Sequence, residues 1–157
     1  MGINEFMEIK KIRNAVGAII TQNNEILLIH KVKLMDVLGE PQAIQGTWDF
    51  PKGGVLPLDT TLEEALMREL KEETGSTQYK IEKRFAETIN FSFPEGHKYE
   101  AQETVMYHVV YTGDRSDIKI QDDEIDDIMF VKYDNVLDII TLDETKEFFN
   151  SVKRGLE

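Results

Sequence analysis

Three glutamates set the chemistry open to this chain. Glu69, Glu72 and Glu73 stand close together in the segment Arg68-Glu-Leu-Lys-Glu-Glu-Thr74. On a helical wheel at about 100° per residue, with Leu62 at zero, Leu66 falls at about +40°, Leu70 at about +80° and Ala65 at about −60°. That arc is the face toward a core. Glu69 falls at about −20°, Glu73 at about +20° and Glu72 at about −80°, so all three acids lie within or beside it. Burying unpaired carboxylates costs several kcal/mol each, and like charges one turn apart repel. A hard divalent cation with oxygen ligands relieves both costs. The plainer alternative is a helix end that projects past the core, its acids solvated and Arg68 paired to Glu72.

The segment before this helix bears on that choice. Gly53 and Gly54 let the backbone pass close to a ligand, and Lys52 adds a positive charge beside them. A glycine loop feeding an acid-ended helix suits a metal–phosphate complex, with Lys52 and Gly54 as the residues that would bind it. The helix itself is well marked. Thr60 or Thr61 serves as N-cap, Glu63 or Glu64 completes a capping box, and Gly75 supplies the stop.

Around this helix the chain reads as strands, helix, strands, helix. Asn14 to Thr21 and Ile26 to Lys31 form a strand pair about the turn Gln22 to Glu25, and Val32 to Thr47 reads as a long loop holding Gly39, Pro41 and Gly46. Thr47 to Phe50 is a short strand. Tyr79 to Phe93 and Tyr99 to Thr112 flank a hairpin at Phe93 to His97, and Ile128 to Tyr133 is a further strand. Asp134 to Ile139 and Leu142 to Val152 are helical, the latter with Leu142, Phe148, Phe149 and Val152 as its apolar side. This order gives an α+β fold, a mixed sheet with helices on its faces.

The bulk composition excludes several classes. At 157 residues the chain fits one domain, residues 1–157, and no apolar run is long enough to span a membrane. The N-terminus, Met1 to Asn14, has no secretory core, so the cytoplasm is the default location. There is no cysteine, hence no disulfide, thiolate nucleophile or cysteine-bound zinc. The net charge of −12 repels a long nucleic acid. Part of that charge lies in Asp122-Asp-Glu-Ile-Asp-Asp127, by itself a solvated acidic loop.

Taken together, Gly54 to Ser76 (GVLPLDTTLEEALMRELKEETGS) resembles the Nudix box, G-x5-E-x7-R-E-U-x-E-E-x-G-U with U apolar. Gly54, Arg68, Glu69, Leu70, Glu72, Glu73 and Gly75 fall in register. Two positions depart: Thr60 stands where the family has its first Glu, and Ser76 where it has an apolar residue. That first Glu pairs with the box Arg in the family, so Arg68 lacks its expected partner, with Asp59 and Glu63 as substitutes. Arg13 to Gly17 and Trp48 to Gly53 resemble the family's first strand and lead-in.

The resemblance implies an α/β/α sandwich and a hydrolase that cuts a phosphoanhydride bond with Mg²⁺ or Mn²⁺. It implies Glu72, Glu73 and the Gly53 carbonyl as metal ligands, Glu69 as a ligand or as the base for the attacking water, and Arg68 as their orienting partner. A distal acid completes the set, Glu124 by preference and Glu103 otherwise. The lead-in is closest in kind to dinucleoside polyphosphate hydrolases and RNA 5′-pyrophosphohydrolases, so the partner is a small nucleotide or an RNA 5′ end, with Phe93 or Tyr99 available to stack on a base. Isopentenyl diphosphate isomerase shares the fold but uses a catalytic cysteine. A non-catalytic nucleotide sensor is the other alternative, although such domains usually lose acids from the box. His30 and His108 read as strand residues, His97 as part of a hairpin, and Arg13 and Lys33 as phosphate contacts without a motif.

Overall fold

The computed structural model describes residues 11–35 and 40–156. β1 (Ile12–Gln22) and β2 (Glu25–Met35) are joined by Asn23 and Asn24, whose φ values of 50° and 65° make a two-residue left-handed turn that short polar side chains tolerate. The two strands are in register only near that turn, at Thr21–Ile26 and Gln22–Glu25. Farther along they part. β1 takes β4 (Lys52–Gly54) as an antiparallel partner and β2 takes β7 (Ile125–Lys132). β1 also runs parallel to β6 (Ala101–Tyr111), which pairs with β5 (Tyr79–Ser92) at one edge, while β3 (Pro41–Asp49) lies against β2 at the other. The result is a seven-stranded mixed sheet.

Each face of the sheet buries one helix. α1 (Leu62–Thr74) places Ala65, Leu66 and Leu70 against Val16, Ala18, Ile20, Leu27, Val105 and Tyr107. After a one-turn helix, α2 (Val136–Ile139), α3 (Asp143–Val152) sets Phe148 and Phe149 against Phe50, Phe85 and Ile89 on the other face. Fully buried Leu66 and Leu70 contribute roughly 1.5–3 kcal/mol each. That is comparable with the cost of burying one charged group nearby.

The ends of α1 are closed as its sequence dictates. Thr61 is the N-cap and accepts from the Glu64 amide at 3.1 Å, while the Glu64 carboxylate reaches back to the Thr60 amide at 2.9 Å. Gly75, at φ 80°, returns its N–H to the Lys71 carbonyl.

Three expectations need correction. The glycine segment read as a loop is a strand at Lys52–Gly54, drawn into the sheet by its pairing with β1. Val32 to Thr47 is not a long loop: β2 runs to Met35 and β3 begins at Pro41, with residues 36–39 outside the described set. Pro41 opens an edge strand, where its missing N–H costs nothing. Gly46 sits under His30, whose ring atoms would lie 2.2 Å from an added Cβ. Leu142 is not part of the apolar side of α3; it is 41% exposed, and Thr145 is buried there instead. The reading of the N-terminus falls, up to residue 10, outside the described residues.

Candidate active site

The site begins where β4 crosses under α1. Gly53 pairs with Val16 of β1, and a Cβ on Gly53 would stand 1.9–2.4 Å from the Glu69 carboxyl atoms. Only glycine lets the carboxylate lie flat on the backbone there. Gly54 presents the opposite face, where an added Cβ would meet Arg13 Nη2 at 2.6 Å, and its carbonyl accepts from Arg68 Nη2 at 2.9 Å.

Arg68 is the hub. One edge of its guanidinium grips both oxygens of Asp59, Nε to Oδ1 at 3.1 Å and Nη2 to Oδ2 at 2.9 Å. Its other end, Nη1, reaches Glu69 at 3.0 Å and Glu72 at 3.2 Å. The arginine therefore holds two of the three box acids at once.

The wheel placed Glu69 and Glu73 within the core arc and Glu72 beside it, and the fold separates them in the same sense. Glu72 is half exposed, Glu69 is 15% exposed and Glu73 is 6% exposed. Burial raises the Glu69 carboxyl above its ordinary range against the pull of Arg68. Glu73 is raised much further, by burial, with Glu69, Asp49 and Asp122 adding like charge. Among the described residues, Glu73 Oε2 is the buried side-chain oxygen left without a hydrogen bond. A buried orphan of this kind costs about 1–3 kcal/mol or more, so it calls for an explanation.

Lys31 is the positive field that Glu69, Glu73 and Glu124 share. Sequence reasoning missed it, although it follows Leu27 and Ile29 in the alternation that faces α1. Glu124 lies beside it because the Glu124 carbonyl accepts from the Val32 amide at 2.8 Å. Half-buried, Glu124 has its carboxyl raised by burial and by Asp122. Glu103 is exposed on β6, opposite Asn90 of β5 and Asn14 of β1, and no contact ties it to the box acids.

Lys52 is engaged within the fold. Its ammonium donates to Asp49 at 2.9 Å and to Thr145 of α3 at 3.1 Å, with the side chain only 12% exposed. It ties the start of β4 to the helix on the opposite face. Lys33 pairs with Asp123, and His30 with Asp126, on the acidic run. His108 is buried against Thr21, and His97 stacks on Phe93 at 3.9 Å beside Tyr99.

No three His, Asp or Glu side chains among the described residues converge into a ready-made ligand cage. Arg68 bonds Glu69 and Glu72, and the Lys31 charge acts on Glu69, Glu73 and Glu124. The donors nonetheless fit a hard cation: an orphaned carboxylate oxygen at Glu73, a second carboxylate at Glu69 held against Gly53, and Glu124 in the same field.

The chain matches the NUDIX domain model over residues 11–151. It belongs to the Nudix family. An RNA pyrophosphohydrolase from a Nitratiruptor species is 29% identical over 142 residues, 86% of this chain and 87% of that protein. One from a Sulfurovum species is 34% identical over 112 residues, 67% and 71% of the two chains. The fold is similar to that of a MutT protein from Methanosarcina mazei Go1, with a TM-score of 0.70, 24% identity and coverage of 93% and 96%. Family and relatives make this Nudix chain a pyrophosphate-hydrolysing enzyme, and the α+β sandwich expected from its sequence is the fold observed.

Proposed function

We propose that this Nudix domain hydrolyses a phosphoanhydride bond of a nucleoside polyphosphate, free or dinucleoside-linked, with a Mg²⁺ or Mn²⁺ ion held by Glu69, Glu72, Glu73, Glu124 and the Gly53 carbonyl. The observation that carries this reading is the Glu73 carboxylate, buried with one oxygen unpartnered beside the Glu69 carboxylate. When bound, a divalent cation neutralises phosphate charge and lowers the pKa of water. The chain supplies the rest. Arg68 fixes the directions of Glu69 and Glu72. Glu69, held against Gly53 and oriented by Arg68, accepts the proton of the attacking water. Arg13, over Gly54, offsets phosphate charge at the mouth of the loop.

A second reading, hydrolysis at a triphosphorylated RNA 5′ end, is favoured by the names of the Nitratiruptor and Sulfurovum relatives. The charge of −12 weighs against extensive contact with the RNA backbone beyond that end. One panel separates the readings: nucleoside triphosphates, diadenosine polyphosphates, ADP-ribose, sugar nucleotides and triphosphorylated RNA, each with metal-stripped enzyme and then with Mg²⁺ or Mn²⁺. Metal-dependent release of phosphate or nucleotide products from a small substrate supports the first. Faster turnover of the RNA than of any free nucleotide supports the second. Metal-dependent binding without turnover on any member overturns both in favour of a sensor.

A further inference from the structure

We infer that Asp59 is the positioning residue that takes over the work of the glutamate missing at Thr60, setting Arg68 and through it the metal-binding acids. The inference rests on the metal reading proposed above. Asp59 offers both carboxylate oxygens to one edge of Arg68, at 3.1 and 2.9 Å, and its side chain is only 8% exposed. That edge-on, two-bond geometry fixes the plane of a guanidinium, which a single bond does not. With the plane fixed, Nη1 is aimed at Glu69 and Glu72, and Nη2 also binds the Gly54 carbonyl.

The other candidates are committed elsewhere. Glu63 accepts from the Tyr107 hydroxyl at 2.8 Å, tying α1 to β6. Glu64 is taken up by the backbone and hydroxyl of Thr60. Thr60 itself faces Glu64 and not Arg68. Asp59 is also anchored, because its Oδ2 accepts from the Leu56 amide at 2.7 Å and closes the loop between β4 and α1. An aspartate one position early thus replaces a glutamate, with the loop bond compensating for the shorter side chain.

Three variants of the full chain test this: Asp59→Asn, Asp59→Ala, and Asp59→Ala combined with Thr60→Glu. Asparagine can still accept from Leu56, so D59N keeps the loop and removes the charged grip on Arg68. Groups that orient metal ligands from behind typically matter by about 10–100-fold in metal affinity or activity. By calorimetric titration with Mn²⁺, D59N should weaken binding about tenfold; in the same protein kcat should fall by at least about tenfold while KM changes by less than about threefold. The double variant should return both Mn²⁺ affinity and kcat to within about threefold of wild type, because the added glutamate lies where the family has its own. Affinity and kcat of D59N both within about twofold of wild type would overturn the inference, as would a D59A loss that Thr60→Glu does not recover. Glu73→Gln is the control for the underlying reading. If it binds Mn²⁺ and turns over normally, the metal assignment and this inference fail together; if it is impaired while D59N is not, only this inference fails.

Discussion

Glu73 and Asp117 are acids at the same end of α1, and the fold treats them in opposite ways. Asp117 is saturated. It accepts from the Ser76 hydroxyl at 2.6 Å, the Gln78 side-chain Nε2 at 2.7 Å and the Tyr111 hydroxyl, and these donors hold its carboxyl down at about 2. Glu73, on the last turn of the helix, is deeply buried, and one of its oxygens receives no hydrogen bond. Asp117 latches the Gly75–Ser76 corner to β6, beside the bond from Lys119 N–H to the Thr74 carbonyl at 2.7 Å. A carboxylate that serves the fold has its hydrogen-bonding capacity filled from within. One that serves a ligand is left with capacity to spare, at a cost the rest of the fold must offset.

Replacing Glu73 should give the largest effect. Glu73→Gln keeps the shape and removes the charge, and kcat with saturating metal should fall by at least about 10²-fold, or about 2.7 kcal/mol of barrier. Steady-state kinetics across a Mn²⁺ series checks this. A fall under about threefold would make Glu73 a structural acid like Asp117 and end the contrast.

The two acids should also give opposite pH dependences in metal-free protein. Asp117 has a folded pKa below the ordinary aspartate value of 3.8. Its stabilisation is present above that value and is lost as pH falls toward about 2. Glu73 has a folded pKa well above the ordinary glutamate value of 4.5. Its share of stability is therefore greatest below 4.5 and is lost as pH rises through the folded pKa. Thermal melts of metal-free protein against pH read both. Glu73→Gln should raise Tm at neutral pH and flatten the gain seen on mild acidification. Asp117→Asn should lower Tm at neutral pH and flatten the acid limb. If Glu73→Gln melts lower than wild type at pH 7, the orphaned charge is not the strain the geometry describes.

How much of this was legible before the fold was known depended on how local each signal was. The span of α1 and its Gly75 stop follow from neighbouring residues and both stand in the structure, which also settles the N-cap, open between Thr60 and Thr61, on Thr61. The turn at Asn23–Asn24 is equally local. β3 was hidden because Pro41 and Gly46 punctuate the sequence like a loop; Gly46 makes room for His30, a residue on another strand. Lys31 meets Glu124 through the β2–β7 pairing and meets Glu69 and Glu73 through the packing of α1 on the sheet, and no short window contains either. The sequence left Asp59 and Glu63 as equal partners for Arg68. What decided between them was the Tyr107 hydroxyl, a contact spanning α1 and β6. The box marked which acids matter, and the wheel already set Glu72 at the rim of the arc that holds Glu73; the depth to which Glu73 is buried came only from the tertiary packing.

The smallest expected effect tests the saturated side of the contrast. Ser76 occupies a position where the family places an apolar residue, and it is 1% exposed. Its hydroxyl donates to Asp117 and accepts from the Gln78 amide at 3.0 Å, so the serine connects the latch in both directions. Ser76→Val restores the apolar type but leaves the Gln78 amide without its acceptor and Asp117 with one donor fewer. Losing both hydrogen bonds of the buried Ser76 hydroxyl outweighs the gain from added apolar surface of this size. Tm should therefore fall by about 2–4 °C, with kcat/KM unchanged within about twofold, because the latch touches none of the box acids. A rise in Tm would mean that the corner is held by packing alone. In that case Asp117 would be no better used than Glu73, and the division between a filled acid and a waiting one would lose its stabilising half.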